Sequence, residues 1–192
     1  MAKPSKTKNA LVPLRPGHLE IIGETAAKIL LYQKGWNPYT RFLDEDKVDL
    51  IARRNVRNTP VYREIQVKYR RLYEPANPSV WEAKLFDVTA WYTADEDEFI
   101  AHRQGLFIMF LFFYPDRRPE NDVLLFPSGE LHAMIKRAPH HKKGSKTKSL
   151  YISRSCVDSR WYVRLTRQKF AQIDASNCID VSKYQNNFVI LE

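Results

Sequence analysis

Polar side chains alternate along one predicted strand, which runs from Val61 to Arg70. Successive side chains of a strand point to opposite faces of a sheet, so every second residue shares a face. One face carries Tyr62, Glu64, Gln66, Lys68 and Arg70, and the other carries Arg63, Ile65, Val67 and Tyr69. A polar face on an interior strand is a candidate functional site. Its glutamine offers a carbonyl oxygen that can ligate a hard cation.

Asp49 lies on the preceding predicted strand, within the otherwise apolar segment 48–52. An ionised carboxylate is costly in apolar surroundings unless it is paired or binds a cation. Antiparallel pairing of the two strands would bring Asp49 near Gln66 and Lys68. The sequence therefore predicts a carboxylate beside a lysine, with cation binding as one explanation.

An amphipathic helix precedes these strands and carries a second carboxylate, Glu24. Apolar residues recur at helical spacing from His18 to Lys34, and Gly35 follows where helices commonly end. Glu24 lies at the border of the apolar stripe, so its side chain can reach inward. We expect four residues to converge on one acidic pocket that also contains a lysine: Glu24, Asp49, Gln66 and Lys68.

The order of these residues resembles the PD-(D/E)XK nuclease superfamily, whose signature is a helix glutamate, a strand aspartate and an acid-x-lysine on the next strand. The matching stretches are Gly23-Glu24 within LEIIGETAAKILLYQKGW, the strand VDLIA and the strand IQVK. The resemblance covers about residues 18 to 70, and VLLFPSGELHAMI looks like the continuation in bacterial members. It implies an α/β, restriction-endonuclease-like fold, in which a mixed β-sheet is flanked by helices.

The resemblance also implies a Mg²⁺-dependent or Mn²⁺-dependent endonuclease that hydrolyses DNA. In that family pattern, Asp49, Gln66 and the Val67 carbonyl hold the metal, and Glu24 holds a second metal or a water. Lys68 orients or deprotonates the attacking water or neutralises the transition state. Cleavage of both strands commonly takes two such sites, so a homodimer is compatible with this interpretation.

The chain departs from the signature at Gln66, where the family usually has an acid. A neutral amide removes one negative charge and should weaken metal binding. Glu64, two residues earlier on the same face, is a secondary candidate for the missing charge. The alternative function is a catalytically weak or inactive nuclease-fold module that binds nucleic acid.

Structural roles compete with each functional one. Glu24 and Lys28 have the i, i+4 spacing of a helix-stabilising pair. Asp49 could close a turn, and Lys68 could extend to solvent beside Arg70 from an edge strand.

The elements around the pocket follow from periodicity and turn residues. We predict three antiparallel strands at Trp36–Leu43, Val48–Arg53 and Val61–Arg70, with 55–60 as a polar loop, and a helix at Ser79–Ala94. The apolar run Leu106–Tyr114 predicts a strand covered on both faces. For the rest of the chain we predict a strand at Val123–Phe126, a helix after Pro127-Ser128, strands at Leu150–Ser153 and Trp161–Leu165, and a helix near Gln168–Ile173.

The chain carries 31 Lys and Arg against 22 Asp and Glu, a formal charge of +9. This excess favours a polyanionic partner and DNA in particular. The candidate nucleic-acid-binding residues are Arg53, Arg54, Arg70, Arg71, Lys142, Lys143, Lys146 and Lys148, the last four in a predicted exposed loop. The histidines near that loop, His132, His140 and His141, lack a defined ligand geometry, and the tryptophans Trp81, Trp91 and Trp161 are more typical of a core than of base stacking.

Length and composition predict one domain at 17–192, with a flexible basic arm at 1–16 and a C-terminal extension from about 139 to 192. Cys156 and Cys178 show no metal-ligand or disulfide spacing, so we expect free thiols. The apolar run is too short for a spanning helix, and the N-terminus lacks the apolar stretch of a signal peptide. We therefore expect a cytoplasmic protein that does not enter a membrane.

Overall fold

The computed structural model describes residues 15–40, 47–75, 77, 80–95, 105–116 and 118–192. Within them, two α-helices and nine strands form a mixed α/β structure. The elements are α1 (Pro16–Gln33), β1 (Asn37–Thr40), β2 (Leu50–Val56), β3 (Thr59–Tyr73), β4 (Phe86–Asp95), β5 (Leu106–Phe113), β6 (Pro119–Pro127), α2 (Ser128–Arg137), β7 (Thr147–Ser155), β8 (Trp161–Arg164) and β9 (Cys178–Asp180).

The strands form a large, mostly antiparallel sheet in two parts that meet at β3. In the first sheet, β1, β2 and β3 form an antiparallel meander, β5 pairs with β3 in parallel, and β6 is antiparallel to β5. In the second sheet, β4, β7, β8 and β9 are antiparallel neighbours. β4 pairs with β3 only at Leu72 and Tyr73, so the second sheet diverges from the first after two residues.

Two apolar cores cover the two faces of the first sheet. On one face, Ala27 and Leu31 of α1 pack against a core that includes Ile65 and Met109. On the other face, Phe110 belongs to a core shared with the second sheet and α2. β5 contributes to both cores, which explains why its sequence is apolar at consecutive positions.

Most long elements agree with the sequence predictions. The helix α1 and the strands β1, β2 and β3 occur in the expected order, and β5, β6, α2, β7 and β8 lie where the apolar patterns indicated. The predicted loop at 55–60 is wrong, because β2 and β3 continue to a two-residue turn. Arg57 and Asn58 have φ of 50° and 63°, as expected for the tight turn of a hairpin.

The helix predicted at Ser79–Ala94 is also wrong. The chain makes one 3₁₀ turn at Trp81–Lys84 and then forms β4. Buried and more exposed residues alternate from Phe86 to Ala94, which is the period of a strand that faces a core on one side. The segment is held by nine register pairs to β7, about sixty residues later.

The helix predicted near Gln168–Ile173 is irregular chain. Phe170 packs edge-on against Trp81 at a centroid distance of 4.6 Å, so tertiary packing holds this segment without a helix.

The C-terminal part of the chain belongs to the same body. Residues after 139 supply β7, β8 and β9 of the second sheet. Leu191 packs into the core under α1, and its carbonyl accepts a hydrogen bond of 2.7 Å from Arg63 Nε. The predicted flexible arm lies almost wholly outside the described residues, as does the acidic stretch 44–46. No helix in the described ranges is long and apolar enough to cross a membrane.

Candidate active site where β2 leaves β3

The strand β3 is paired on one edge only from Gln66 to Arg71, where β5 is its neighbour among the described strands. The strand β2 accompanies β3 as far as Ile65, and β4 joins it at Leu72. A notch therefore opens in the sheet beside residues 66–71, and we call this notch the fork.

Asp49 lies where β2 leaves β3. Its backbone N–H donates to the carbonyl of Ile65 at 3.1 Å, and its carboxylate oxygen Oδ2 accepts a hydrogen bond from the N–H of Val67 at 2.6 Å. The carboxylate thus accepts the backbone hydrogen bond that the carbonyl of a neighbouring strand would otherwise accept. Backbone groups of alternate residues point to the same edge of a strand, so the carbonyl of Val67 faces the fork as well.

Gln66 and Lys68 flank Val67 and share the face turned towards the second sheet. Gln66 is buried, with 6% of its surface exposed. Lys68 is half-buried, and its Nζ lies 5.4 Å from the ring centroid of Tyr92. The guanidinium of Arg70 lies 4.7 Å from the same centroid, so Tyr92 faces two cations.

Glu24 approaches from α1 on the other face of the first sheet. The helix packs very closely at Gly23, where a Cβ atom would lie 2.6 Å from the Cβ of Tyr69. Ile22 and Ala26 line a groove on the β5 and β6 side of α1. At 100° per residue Glu24 lies on the opposite flank, towards the edge that β2 leaves, and it is half-buried.

A cleft of about 300 Å³ lies between the start of α1 and β3. It is lined by Pro16, Leu19, Glu20, Val67, Lys68, Tyr69 and Arg70. Glu20 was not singled out from the sequence, although it precedes Glu24 by one helical turn and so shares its side of the helix. Tyr92 was also missed, because it lies in the segment wrongly predicted as a helix.

Tyr69 closes the floor of this cleft. Its ring stacks on Phe113 with centroids 4.6 Å apart, and burial raises the pKa of its hydroxyl. Glu64 lies outside the cleft, between Ile51 of β2 and Leu106 of β5. The structure therefore sets the Asp49 carboxylate against Val67, which lies between Gln66 and Lys68 in the chain, with Glu24 on the adjacent flank of α1 and Glu64 farther along β3. Of the four predicted site residues, Lys68 is the one that lines the cleft.

The oxygen donors at the fork are of the kind that Mg²⁺ or Mn²⁺ prefers: a carboxylate, an amide and a backbone carbonyl. No group of three or more His, Cys, Asp and Glu side chains in the described part of the chain has a metal-binding arrangement. Gln66 contributes a neutral amide to the fork rather than a carboxylate.

Comparisons with protein-family models, with curated proteins and with solved structures found no match to this chain.

The predicted nucleic-acid-binding residues divide into three groups. Arg70 and Arg71 lie beside the fork, with Arg71 stacked 5.1 Å above the ring of Tyr73. Arg53 donates to Asn55, and Arg54 forms a 2.6 Å ion pair with Glu192, so both are engaged on the β2 side. Lys142, Lys143 and Lys146 are exposed, as the loop prediction required.

Lys148 contradicts the prediction of an exposed loop. It is 5% exposed, because β7 begins at Thr147 and turns this side chain inward. Its Nζ lies 3.2 Å from His140 Nε2, so both groups are engaged inside the protein. His141 lies apart from them and stacks on Trp91, with centroids 5.6 Å apart.

Proposed function

We propose that this chain is a metal-dependent DNA endonuclease of the PD-(D/E)XK type with a restriction-endonuclease-like fold. The observation that carries the proposal is the hydrogen bond from the Val67 N–H to the Asp49 carboxylate. It sets a negative charge against the backbone of β3 at Val67, which Gln66 and Lys68 flank in the sequence. A parallel β3–β5 pair and a helix packed over β3 agree with such a fold.

Each residue at the fork has a role suited to phosphodiester hydrolysis. Asp49, the Gln66 amide oxygen and the Val67 carbonyl would hold the metal, and Glu24 would orient a water from the α1 side. Bound there, Mg²⁺ or Mn²⁺ would stabilise charge on the phosphate and lower the pKa of water. Lys68 would orient the attacking water or neutralise charge that develops on the phosphate oxygens.

Gln66 contributes the carbonyl oxygen of a neutral amide, which can ligate a hard cation. The neutral amide contributes less attraction than a carboxylate, so we expect a weaker metal site than one with the usual acid.

The decisive variant is Asp49→Asn. The asparagine oxygen can still accept the bond from Val67, so the fork keeps its shape while the negative charge is lost. We expect Mg²⁺-dependent nicking of a plasmid to fall at least about 100-fold. Asp95→Asn is the matched control, because Asp95 is an exposed aspartate that also accepts one hydrogen bond, from Thr147. Wild-type nicking by Asp49→Asn would remove the proposal.

A nucleic-acid-binding module without metal chemistry is the second candidate. The observation that favours it is Gln66 at the position of an acid, which leaves fewer than three acidic ligands at the fork. Such a module would bind DNA without taking up Mn²⁺ in a calorimetric titration. Heat of Mn²⁺ binding that disappears in Asp49→Asn would favour the nuclease.

A further inference from the structure

A second cavity lies on the outer face of the second sheet, apart from the fork. Its volume is about 540 Å³, and it is lined by Tyr73, Glu74, Pro75, Glu82, Thr89, Trp91, His141, Tyr151 and Arg167. We call it the aromatic groove. Trp91 and Tyr151 are cross-strand partners and Tyr73 pairs with Thr89, so these side chains project from neighbouring positions of β3, β4 and β7.

The aromatic rings of the groove are unusually open. Trp91 is 44% exposed and Tyr73 is 49% exposed, whereas Trp36 and Trp161 are almost fully buried. One indole face of Trp91 is covered by the imidazole of His141, with an interplanar angle of 25°. Two large rings held side by side in solvent leave apolar area that a planar ligand could cover.

Cations surround these rings. The Arg71 guanidinium lies over Tyr73, and Arg167 donates to the His141 carbonyl at 2.9 Å, which joins the groove to the exposed lysines that follow His141. Of the two acids in the lining, Glu82 forms an ion pair with Arg164. The other, Glu74, is exposed. The balance of charge therefore suits an anion with a flat face.

The groove is also connected to the fork along β3. Tyr69 lines the cleft and Tyr73 lines the groove, and both lie on the same face of β3, about 13 Å apart at ~3.3 Å per residue. Arg71 lies between them on that face, whereas Arg70 points to Tyr92 on the opposite face. A single strand of a few nucleotides would therefore reach from the cleft to the groove and pass Arg71.

We propose that the aromatic groove binds an unpaired base of single-stranded nucleic acid, stacked on Trp91 and Tyr73. Bases within a duplex have their faces covered by neighbouring pairs, so ring stacking selects single strands. This inference rests on the proposed function only for its choice of a nucleic-acid partner. It adds that the substrate has an unpaired segment beside the cleavage site.

Binding of a short oligothymidylate to the full chain tests the groove in the presence of EDTA, so that cleavage plays no part. Trp91→Ala should weaken binding by about 5-fold to 150-fold, the range for loss of one base–aromatic stack. The affinity of the same variant for a duplex of equal length should fall by less than about 2-fold, because bases within a duplex are covered by neighbouring pairs. Tyr62→Ala is the matched control, since Tyr62 is 56% exposed and lies outside the groove lining.

Trp91→Phe separates stacking from a structural effect. Phenylalanine keeps an aromatic face, so affinity should stay within about threefold of wild type. Quenching of tryptophan emission by the oligonucleotide should nevertheless be largely lost, because Trp91 is the tryptophan in the groove.

The groove assignment would be overturned if Trp91→Ala bound the oligothymidylate as tightly as the wild type does. It would also be overturned if the variant lost the same affinity for the duplex as for the single strand. Failure of the nuclease proposal gives a different result, namely Mg²⁺-dependent nicking that Asp49→Asn does not reduce. The two outcomes are measured in separate assays and on separate residues.

Discussion

The contact between Gly23 of α1 and Tyr69 of β3 predicts an unusual response to an alanine substitution. Glycine to alanine inside a helix ordinarily stabilises a protein by about 1 kcal/mol, because glycine has the higher backbone entropy when unfolded. At Gly23 the new Cβ would lie 2.6 Å from the Cβ of Tyr69, whereas carbon atoms pack best at about 3.5–4.0 Å. The helix must therefore move away from β3 by about 1 Å.

The expected magnitude follows from two opposing contributions. Overpacking costs about 1–3 kcal/mol and helix propensity returns about 1 kcal/mol, so Gly23→Ala should destabilise the protein by ~0–2 kcal/mol. Gly17→Ala is the matched control, since nothing lies within 4 Å of its Cβ and only the propensity gain remains. The two variants should differ by about 1–3 kcal/mol in free energy of unfolding, or by about 2–12 °C in Tm.

Urea denaturation and thermal melting of both variants measure this difference. Nicking activity is a second readout, because Glu24 is next to Gly23 and a displacement of about 1 Å near a site can cost ~100-fold in rate. If Gly23→Ala is stabilised as much as Gly17→Ala, α1 does not pack on Tyr69 at this distance. The position of Glu24 on the flank of α1 next to the fork would then lose its support.

Three further outcomes test the fork and the surrounding structure. Gln66→Glu should tighten Mg²⁺ binding by at least about tenfold, because it restores the acid. The same variant should have a lower Tm in EDTA, because it then buries an extra carboxylate. A Tm of this variant that is independent of Mg²⁺ would argue against a metal at this position. Burial raises the pKa of the Cys178 thiol to about 11, whereas Cys156 is exposed. A chromogenic disulfide reagent at pH 8 should therefore titrate one thiol in the folded protein and two in denaturant, and fast reaction of both in the folded state would contradict the structure. The hydrogen bond from the Tyr184 hydroxyl lowers the pKa of Glu130, so this pair stabilises the fold above the unfolded pKa near 4.5 and ceases to do so as pH falls through the lower folded value. Tyr184→Phe should flatten the acid limb of a stability-against-pH curve, and an unchanged limb would show that the pair does not contribute.

The elements that were predicted correctly have strong local signals. The helical spacing of apolar residues and the terminal Gly35, with φ of 78°, indicated the helix α1. The face it buries differs from the predicted stripe, because Ala27 and Leu31 are buried whereas Ile22 and Ile29 are exposed. The continuous apolar run of β5 indicated burial on both faces, and the two cores supply it. In both cases the pattern is set by the chain's own periodicity, so no knowledge of a distant partner was required.

The elements that were predicted wrongly are held by distant contacts. The aromatic and apolar residues of β4 are compatible with a helix until β7 supplies the neighbouring strand. The segment Gln168–Ile173 has apolar residues at a helical spacing, but Phe170 is held by Trp81 and Phe86. Tertiary pairing outweighs a weak local preference in both segments.

The candidate site divides in the same way. The sequence by itself determined that Gln66 and Lys68 share a face of one strand, because side-chain alternation is a local property of extended chain. Asp49 was predicted inside the neighbouring strand, but β2 begins one residue later, at Leu50. Only the tertiary structure decided that β2 leaves β3 at Asp49, that Tyr92 faces Lys68, and that Trp91 lies open beside Tyr73. Those features depend on where the second sheet diverges from the first, and such long-range pairing is not encoded in the spacing of neighbouring residues.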